Sequence, residues 1–423
     1  MTTQSRAAAD TAPPTPADRY ARLTRMIATD QCVILDGANG TELIKVRGGR
    51  PEVEEHVWGL TALVDAPQDV ARVHRSYVDV GCDVICTNTW GLPTALRDGT
   101  LRVGDSTEPV HWMDIARRAV GLARGAATDA GRADEVAVAF SLNGDVDTPD
   151  GRETIALLSR AFEEEPPDLI LLETLSLVRS STYATVEALL GTGIPVWLSF
   201  RRCRNGVCGV YGEHWGGPEG DSFGRAARRF EEMGVGALAI NCIPPDHVAG
   251  MLSWLRDFTD LPLGVYPNLG YLSAAGWREE PGVEGKQYAQ LALNWRGEGA
   301  QIIGGCCGVR PEHLQAARAA LTDTKPGHDR PDALTEENGR SPGQTERAAV
   351  MGGPAGTGDV PARHARDRGR HRGVRTDAGQ LRDLEVPVSR RRRRPRAMPG
   401  HRLRLGPADR PARPQRSCPR PRD

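Results

Sequence analysis

The sequence lacks the long apolar run that a membrane helix needs. No stretch of its 423 residues approaches about 18 consecutive apolar residues. The first twenty residues, MTTQSRAAADTAPPTPADRY, also lack the apolar segment of a secretory signal. We therefore expect a cytoplasmic protein with no membrane partner. Thiols stay reduced in that compartment, so clusters among the nine cysteines are more often metal ligands or catalytic groups than disulfides.

Lysine and aromatic residues are both missing from the last part of the chain. Residues 331–423 contain 22 arginines and 11 acidic residues, but no Lys, Phe, Tyr or Trp. This part has a net charge of about +11, whereas the preceding part has about −12. With so few apolar residues it has no means of burying a core, and we predict a disordered basic tail over 326–423. Arginine runs attract nucleic acid, but no aromatic side chains or folded platform accompany this one. We therefore expect no nucleic-acid partner, and nucleic-acid binding through the tail stays an alternative.

The chain between its two ends alternates apolar runs with helical patterns. Residues 1–20 are polar and proline-rich and are predicted to be a disordered arm, so the folded domain spans 21–325. Eight strands alternating with helices predict a (β/α)8 TIM barrel, an α/β fold of typically about 250 residues, and a doubly wound open sheet is the alternative. The runs that predict buried parallel strands lie at 32–37, 82–89, 135–142, 168–174, 195–200, 237–241, 261–268 and 301–305.

Polar or metal-binding residues stand at the C-terminal end of nearly every predicted strand. A (β/α)8 barrel carries its functional groups at this end, whereas the interiors of these strands are aliphatic. The pattern therefore predicts one site built from several strand ends. Its candidate residues are, in chain order, Asp36, Thr87, Asn88, Asn143, Glu173, Cys242, Asn268, Cys306 and Cys307.

Two adjacent cysteines, Cys306 and Cys307, follow the eighth predicted strand within the motif GGCCG. Neighbouring side chains leave a strand in opposite directions unless the backbone bends, and glycine permits such a bend. Zinc accepts thiolates in tetrahedral geometry, and three protein ligands leave a fourth position open for chemistry. Cys242 ends the sixth predicted strand and would be the third ligand. The residues alone leave a second interpretation open, a buried or redox-active pair.

Several motifs together resemble the homocysteine S-methyltransferase family. They are VILDGANGTEL, DVICTNTWG, LLETL, AINC, YPNLG and GGCCG followed by RPEHLQAARAAL, in the family's order from about residue 30 to about 323. The family includes betaine–homocysteine methyltransferase and the homocysteine module of methionine synthase. The resemblance implies a (β/α)8 barrel, Zn2+ bound by Cys242, Cys306 and Cys307, and methylation of homocysteine to methionine. It also implies that Asp36 and Glu173 hold the substrate's ammonium group.

The predicted chemistry depends on the metal. A free thiol is mostly protonated at pH 7, whereas a thiol bound to zinc is deprotonated and becomes a nucleophile. We expect the homocysteine thiolate to take the methyl group of a small onium donor. Thr87, Asn88 and Asn268 are further candidates for substrate binding. No general base is apparent in the sequence, which agrees with a metal that ionises the thiol.

The sequence leaves the two reactants partly open. TNTWGLPTALR departs from the TNTYQAT pattern of enzymes that use S-methylmethionine, and Trp90 stands where Tyr or Phe is usual. Trp90 is either a cation–π contact for an onium methyl group or a rim residue. S-methylmethionine, S-adenosylmethionine and betaine all remain candidate donors. Another small thiol or a selenol such as selenocysteine is an alternative acceptor, and a non-catalytic thiol redox sensor is an alternative function. The sequence predicts no oligomeric state.

Overall fold

The computed structural model of the protein describes residues 14–48, 58–98, 111–208, 214–216, 220–273, 276–279 and 282–327. The chain divides into two units, Met1–Gly339 and Arg340–Asp423, and every described residue lies in the first. The tail predicted over 326–423 lies outside the described residues beyond position 327, as does the arm up to position 13. No helix in the described ranges is both long enough and apolar enough to cross a membrane.

The arm prediction needs one correction, because residues 16–20 belong to the first helix. Thr15 caps that helix: its hydroxyl accepts the backbone N–H of Asp18, and the Asp18 carboxylate accepts the N–H of Thr15 at 2.9 Å. This reciprocal pair satisfies two backbone donors that would otherwise be left without partners. Pro16 at the first helical position suits the helix start as well.

The described residues form twelve α-helices, thirteen strands and two short 3-10 turns. The strands are β1 (Val33–Ile34), β2 (Val84–Cys86), β3 (Ala137–Leu142), β4 (Leu169–Leu175), β5 (Val196–Phe200), β6 (Arg202–Cys203), β7 (Gly206–Cys208), β8 (His214–Gly216), β9 (Ala237–Asn241), β10 (Leu263–Tyr266), β11 (Gly270–Ser273), β12 (Gly276–Glu279) and β13 (Ile302–Ile303). The helices are α1 (Pro16–Ala28), α2 (Asn39–Val46), α3 (Ala62–Asp65), α4 (Pro67–Asp79), α5 (Leu92–Asp98), α6 (Trp112–Asp129), α7 (Pro149–Phe162), α8 (Ser180–Leu190), α9 (Gly220–Met233), α10 (Met251–Arg256), α11 (Gly285–Gly297) and α12 (Pro311–Leu321).

Eight strands form one parallel barrel in the order β1-β13-β10-β9-β5-β4-β3-β2. A parallel bridge between Leu35 and Val84 joins the two ends of this order, and the N–H of Asp36 donates to the carbonyl of Val84 at 2.9 Å. An open sheet would leave β1 and β2 as unpaired edges, so the doubly wound alternative is excluded. The (β/α)8 barrel predicted from the alternation is confirmed.

The structure adds two antiparallel elements that the sequence did not predict. The sheet of β6, β7 and β8 follows β5, and the hairpin of β11 and β12 follows β10. Both therefore stand beyond the C-terminal ends of barrel strands. The turn between β6 and β7 consists of Arg204 and Asn205, and Gly206, which begins β7, takes a φ of 112° that L-residues rarely adopt. These short strands carry no long apolar run, so their sequence resembles a loop.

The barrel interior and the helical layer contain different apolar residues from the same strands. Side chains of Ile34, Ile85 and Val138 belong to the cluster packed against the helices. On the N-terminal side, α1 contributes Leu23 to the interior cluster, so this helix covers that end of the barrel. Ligands therefore reach the interior from the C-terminal end. The interior cluster consists of Leu23, Val33, Leu35, Val84, Cys86, Ala137, Ala139, Leu169, Leu171, Trp197, Ala237, Ala239, Tyr266 and Ile302.

Candidate active site

A cavity of about 440 Å³ opens at the C-terminal end of the barrel. Its size lies in the range of small-molecule sites, ~300–1,000 Å³. Residues that follow β1, β2, β5, β9 and β13 line it, together with the end of β4. Seven of the nine candidate residues predicted at the strand ends lie on the wall of this cavity. These seven are Asp36, Thr87, Asn88, Glu173, Cys242, Cys306 and Cys307.

Asn268 and Asn143 do not lie on this wall. Asn268 is fully buried, and its backbone N–H donates to the carbonyl of Ile243 at 2.9 Å. Its side-chain amide approaches Cys242 and contributes to lowering the pKa of that thiol. Asn143 begins a 3-10 turn, because its Oδ1 accepts the N–H of Asp145 at 2.9 Å. The structure therefore places Asn268 behind the cysteines and gives Asn143 a structural role.

The backbone around the three cysteines is held in unusual conformations. Cys242 directly follows β9 and has a φ of 55°, which is uncommon for a residue with a side chain. Gly308 ends the GGCCG motif with a φ of 83°, and a Cβ there would lie 2.1 Å from the carbonyl oxygen of Leu269. Leu269 is in turn bonded to the motif, since its N–H donates to the carbonyl of Cys307 at 2.8 Å. The last glycine is therefore needed for this turn.

The three thiols interact with one another. The Sγ atoms of Cys306 and Cys307 lie 4.0 Å apart, close to the ~3.8 Å between two thiolates on a tetrahedral zinc ion. Interaction with these two thiols, and to a smaller extent with Arg201, holds the pKa of Cys242 well below its usual value. The same interaction with Cys242 raises the pKa of both neighbours well above it. A cation bound among the three thiols would stabilise their deprotonated forms.

The three thiols are the donor atoms that favour zinc at this site. In the described ranges, no group of three or more His, Cys, Asp or Glu side chains is already arranged as a metal site. The Cys306–Cys307 spacing and the soft sulfur donors nevertheless match what zinc prefers. Both cysteines lie on the cavity wall beside Cys242, so a metal held there would face the cavity.

Asp36 follows β1 and is buried, with only 2% of its surface exposed. Its Oδ2 accepts the backbone N–H of Cys86 at 2.8 Å and the Nδ2–H of Asn39 at 3.3 Å. Burial raises the pKa of Asp36 to about 7, although these hydrogen bonds act in the opposite direction. No salt bridge to Asp36 occurs among the described residues. An external cation would therefore stabilise its charged form.

Glu173, on β4, has a similar environment. Its Oε1 accepts the hydroxyl of Ser141, and its Oε2 accepts Nδ2–H of Asn241 at 3.3 Å. Burial raises the pKa of Glu173 to about 7, and the charges of Cys242 and Asp36 add to this effect. Asp36 and Glu173 both line the cavity. Two carboxyl groups with raised pKa values therefore face one cavity.

Thr87 and Asn88 follow β2 and are tied to the protein itself. The Thr87 hydroxyl lies 2.6 Å from that of Thr89 and accepts the N–H of Ser141 at 3.1 Å. The Asn88 Nδ2–H donates to the carbonyl of Gly59 at 2.8 Å. These hydrogen bonds occupy the Thr87 hydroxyl and the Asn88 amide N–H, which a ligand would otherwise contact. The two residues shape the wall between Asp36 and Glu173.

Four half-buried residues around the cavity were not predicted as ligands from strand ends alone, and they are Trp58, Trp90, Thr174 and Arg201. The Trp90 Nε1–H donates to the hydroxyl of Thr174 at 3.2 Å, and Thr174 has a φ of 62°. Trp58 packs edge-on against Trp277 of β12 at 6.5 Å between ring centroids. Arg201 directly follows β5, so the rule of strand ends could have found it. Trp58 lies in the turn before α3, so the rule of strand ends could not have found it.

Comparisons with known proteins agree with this architecture. A family model described as homocysteine S-methyltransferase matches residues 33–321. Homocysteine S-methyltransferase 3 of Zea mays is 26% identical over 336 residues, covering 71% of this chain and 93% of that protein. Homocysteine S-methyltransferase 1 of Brassica oleracea var. italica is 25% identical over 312 residues, covering 67% and 92%.

A solved structure shares the fold. The metallated form of the homocysteine methyltransferase MmuM from Escherichia coli superposes with a TM-score of 0.53 at 24% identity, covering 70% of this chain and 99% of that one. The family match extends from β1 to α12 and includes every strand of the barrel. The protein belongs to the homocysteine S-methyltransferase family.

Proposed function

We propose that this protein transfers a methyl group from an onium-type donor to the thiolate of homocysteine, giving methionine, and that it uses zinc held by Cys242, Cys306 and Cys307. One observation carries the proposal: three interacting thiols and two buried carboxyl groups line the same cavity. Zinc bound there would supply the chemistry of thiol ionisation at neutral pH. A cytoplasmic location, where thiols remain reduced, fits this chemistry.

The carboxyl groups of Asp36 and Glu173 suit the ammonium group of the acceptor. Both have pKa values of about 7 because burial penalises their charge. An ammonium group beside them would favour the ionised form and gain charge-assisted hydrogen bonds. The amino group is then fixed on one side of the cavity, with the acceptor sulfur directed toward the cysteines. This orientation accounts for the pairing of carboxyl groups and thiols on one wall.

The aromatic side chains around the cavity suit the donor. Trp58 and Trp90 line the cavity, and indole rings attract cationic methyl groups. In the transfer, the acceptor sulfur uses an electron pair to form the new S–C bond. The bond between the methyl carbon and the onium atom breaks, and its electron pair stays on that atom, which leaves neutral. The thiol proton has already passed to solvent.

The test is the zinc content of the reduced full-length protein, measured with and without the Cys306→Ser substitution. We expect about one zinc per chain, loss of zinc and methyl transfer in Cys306→Ser, and no loss in Cys32→Ser. Cys32 precedes β1 and does not line the cavity, so it is a matched control. Protein that stays free of zinc after reduction and zinc addition would contradict the proposed mechanism.

Assays on the same reduced protein distinguish this proposal from an alternative acceptor and from a redox sensor. Homocysteine, other small thiols and selenocysteine are compared as methyl acceptors. If only the selenol is methylated, the acceptor is a selenol and not homocysteine. A redox sensor would show no transfer with any donor, together with a disulfide between Cys306 and Cys307 that forms and disappears with the redox state. The 4.0 Å between these sulfurs is about twice the length of a disulfide bond, so that state requires the motif to move.

A further inference from the structure

Strand β4 contains a β-bulge at the point where it reaches the cavity. The parallel register between β4 and β5 shifts by one residue, so that Glu173 and Thr174 of β4 stand opposite the single Ser199 of β5. Thr174 has its φ of 62° at this bulge. A β-bulge changes the direction of side chains and interrupts the ladder of hydrogen bonds. Both Glu173 and Thr174 consequently line the cavity, although consecutive residues of a regular strand point to opposite faces.

Asn241, the last residue of β9, is bonded to this bulge through its side-chain amide. The residue is fully buried and does not line the cavity. Its Oδ1 accepts the Ser199 hydroxyl at 2.8 Å and the backbone N–H of Thr174 at 3.3 Å. Its Nδ2 donates to Oε2 of Glu173 at 3.3 Å and to the hydroxyl oxygen of Thr174 at 3.1 Å. The two donors and two acceptor positions of the amide are therefore all used.

The partners of this amide lie on the part of the cavity wall that the proposed function assigns to the substrates. Glu173 is the proposed partner of the acceptor's ammonium group. Thr174 also accepts the indole N–H of Trp90 at 3.2 Å, so it joins the amide to an aromatic side chain on the cavity wall. A buried polar network whose members are all satisfied makes the groups that it joins rigid. The amide of Asn241 therefore restricts the orientation of the Glu173 carboxylate.

We propose that Asn241 is a positioning residue for the methyl acceptor, because its amide holds the Glu173 carboxylate in the orientation that receives the ammonium group. The inference rests on the proposed function and adds a residue to its acceptor site. Without the amide, Glu173 would lose the hydrogen bond to Oε2 and keep the one from Ser141 to Oε1, and the N–H of Thr174 would lose this acceptor. The carboxylate would then have to be ordered when the ligand binds, which lowers affinity.

Calorimetric titration of the reduced, zinc-loaded, full-length protein tests this with two ligands. They are homocysteine and 4-mercaptobutanoate, which is the same molecule without the ammonium group. We expect Asn241→Ala to weaken homocysteine binding by about tenfold, the effect of ordering one free side chain on binding. The affinity for 4-mercaptobutanoate should change by less than about twofold, because this ligand has no cation to place beside Glu173. Equal losses for the two ligands would overturn the proposal.

A double-mutant cycle with Glu173→Gln tests whether Asn241 acts through the carboxylate. In the Glu173→Gln background, Asn241→Ala should change the homocysteine affinity by less than about twofold, because no carboxylate is left to orient. Independent effects would multiply instead. A loss of about tenfold in both backgrounds would therefore overturn the proposal.

The matched control is Asn143→Ala, which removes another buried asparagine amide at the end of a barrel strand. Asn143 directly follows β3, donates to the Thr94 hydroxyl at 2.6 Å and does not line the cavity. We expect this variant to bind both ligands as the wild type does, although its free energy of unfolding falls. A loss of homocysteine affinity equal to that in Asn241→Ala would overturn the proposal, because any lost amide at a strand end would then have the same effect.

A second variant, Ser199→Ala, keeps the test available if Asn241→Ala does not fold or does not retain zinc. It removes only the hydroxyl that orients the amide and leaves the residues next to Cys242 unchanged. The homocysteine affinity of Ser199→Ala should fall by about threefold, the effect of one neutral hydrogen bond, and its affinity for 4-mercaptobutanoate should stay unchanged. An unchanged homocysteine affinity in Ser199→Ala would then overturn the proposal.

The wild type separates this inference from the proposed function. No binding of homocysteine by the zinc-loaded wild type would contradict the proposed function and the inference together. Binding of homocysteine by the wild type, with the same affinity in a folded and zinc-loaded Asn241→Ala variant, would overturn the role of Asn241 and leave the proposed function standing.

Discussion

The carboxylate of Asp36 accepts a hydrogen bond of 2.8 Å from the backbone N–H of Cys86, which joins the ends of the first two barrel strands at the cavity. The bond fixes the position of one oxygen without neutralising the charge. Burial then raises the pKa of Asp36. No salt bridge to Asp36 occurs among the described residues, which agrees with the proposal that it binds the ammonium group of the substrate.

Substitution Asp36→Asn tests this role, because the amide keeps the shape and still accepts the N–H of Cys86 through its oxygen. We expect the affinity for homocysteine to fall by about ten- to a hundredfold, the loss of a hydrogen bond to a charged group. The analogue 4-mercaptobutanoate lacks the ammonium group and should bind the wild type and the variant equally. A variant that loses affinity equally for both compounds would show a structural effect instead. The measurement is isothermal titration at pH 8.

The raised pKa values of Asp36 and Glu173 predict opposite effects of pH on stability and on binding. Both carboxyl groups bind protons more tightly in the folded state, with pKa values of about 7 against about 4 in the unfolded chain. Their contribution to the free energy of unfolding is complete below pH 4 and is lost as the pH rises through 7. Binding of an ammonium group needs the ionised forms, so affinity should increase over that interval.

Urea unfolding of the ligand-free protein between pH 5 and pH 8 measures the first effect, and homocysteine titration over the same interval measures the second. The double variant Asp36→Asn/Glu173→Gln is the reference, since it lacks both titrating groups. We expect the wild type to lose free energy of unfolding relative to this variant as the pH rises. Parallel curves for the two proteins would contradict the raised pKa values.

The predicted site residues that line the cavity stand at the ends of apolar runs. Asp36, Glu173 and Cys242 were found because a parallel barrel puts every strand end at one opening, so one-dimensional spacing predicts their proximity. Trp58 and Thr174 also line the cavity, and the sequence did not place them there for two different reasons. Trp58 lies in the turn before α3, and the position of Thr174 depends on a φ of 62°. Neither the packing of a turn against the barrel nor an unusual backbone φ leaves a periodic pattern in the sequence.

The turn at Gly308 should be required for metal binding. Gly308→Ala introduces a Cβ at a φ of 83° that would lie 2.1 Å from the Leu269 oxygen, so the backbone of Cys306 and Cys307 must shift. We expect zinc content and methyl transfer to fall together. Gly131→Ala is a matched control, because Gly131 has a φ of 69° with nothing within 4 Å of the added Cβ.

Comparison of the two variants separates the cost of a positive φ from the cost of a steric clash with the added Cβ. Gly131→Ala should lower the free energy of unfolding by about 1 kcal/mol and leave zinc content unchanged. Gly308→Ala should lower it further, as measured by urea unfolding at pH 7. Retention of a full equivalent of zinc in Gly308→Ala would show that the motif tolerates the added methyl group and that the glycine is not needed for the site.

Replacement of His74, on α4, is expected to stabilise the protein. Its side chain is fully buried, and neither ring nitrogen has a hydrogen-bond partner among the described residues. Burial lowers the pKa of His74 to about 4, so the ring is neutral at pH 7 with two unsatisfied polar atoms. His74→Leu removes both atoms at a similar volume and should raise the free energy of unfolding by about 1–2 kcal/mol. The measurement is urea unfolding at pH 7.

The pH dependence of the same variant provides an independent check. A histidine whose folded-state pKa is lowered contributes stability that is present above its unfolded pKa of about 6.5 and is lost as the pH falls through 4. The advantage of His74→Leu over the wild type should therefore widen between pH 6.5 and pH 4. His74 does not line the cavity, so kcat and KM should stay the same. A constant difference in stability across this interval would mean that His74 finds a partner when protonated, and the gain at pH 7 would then reflect packing alone.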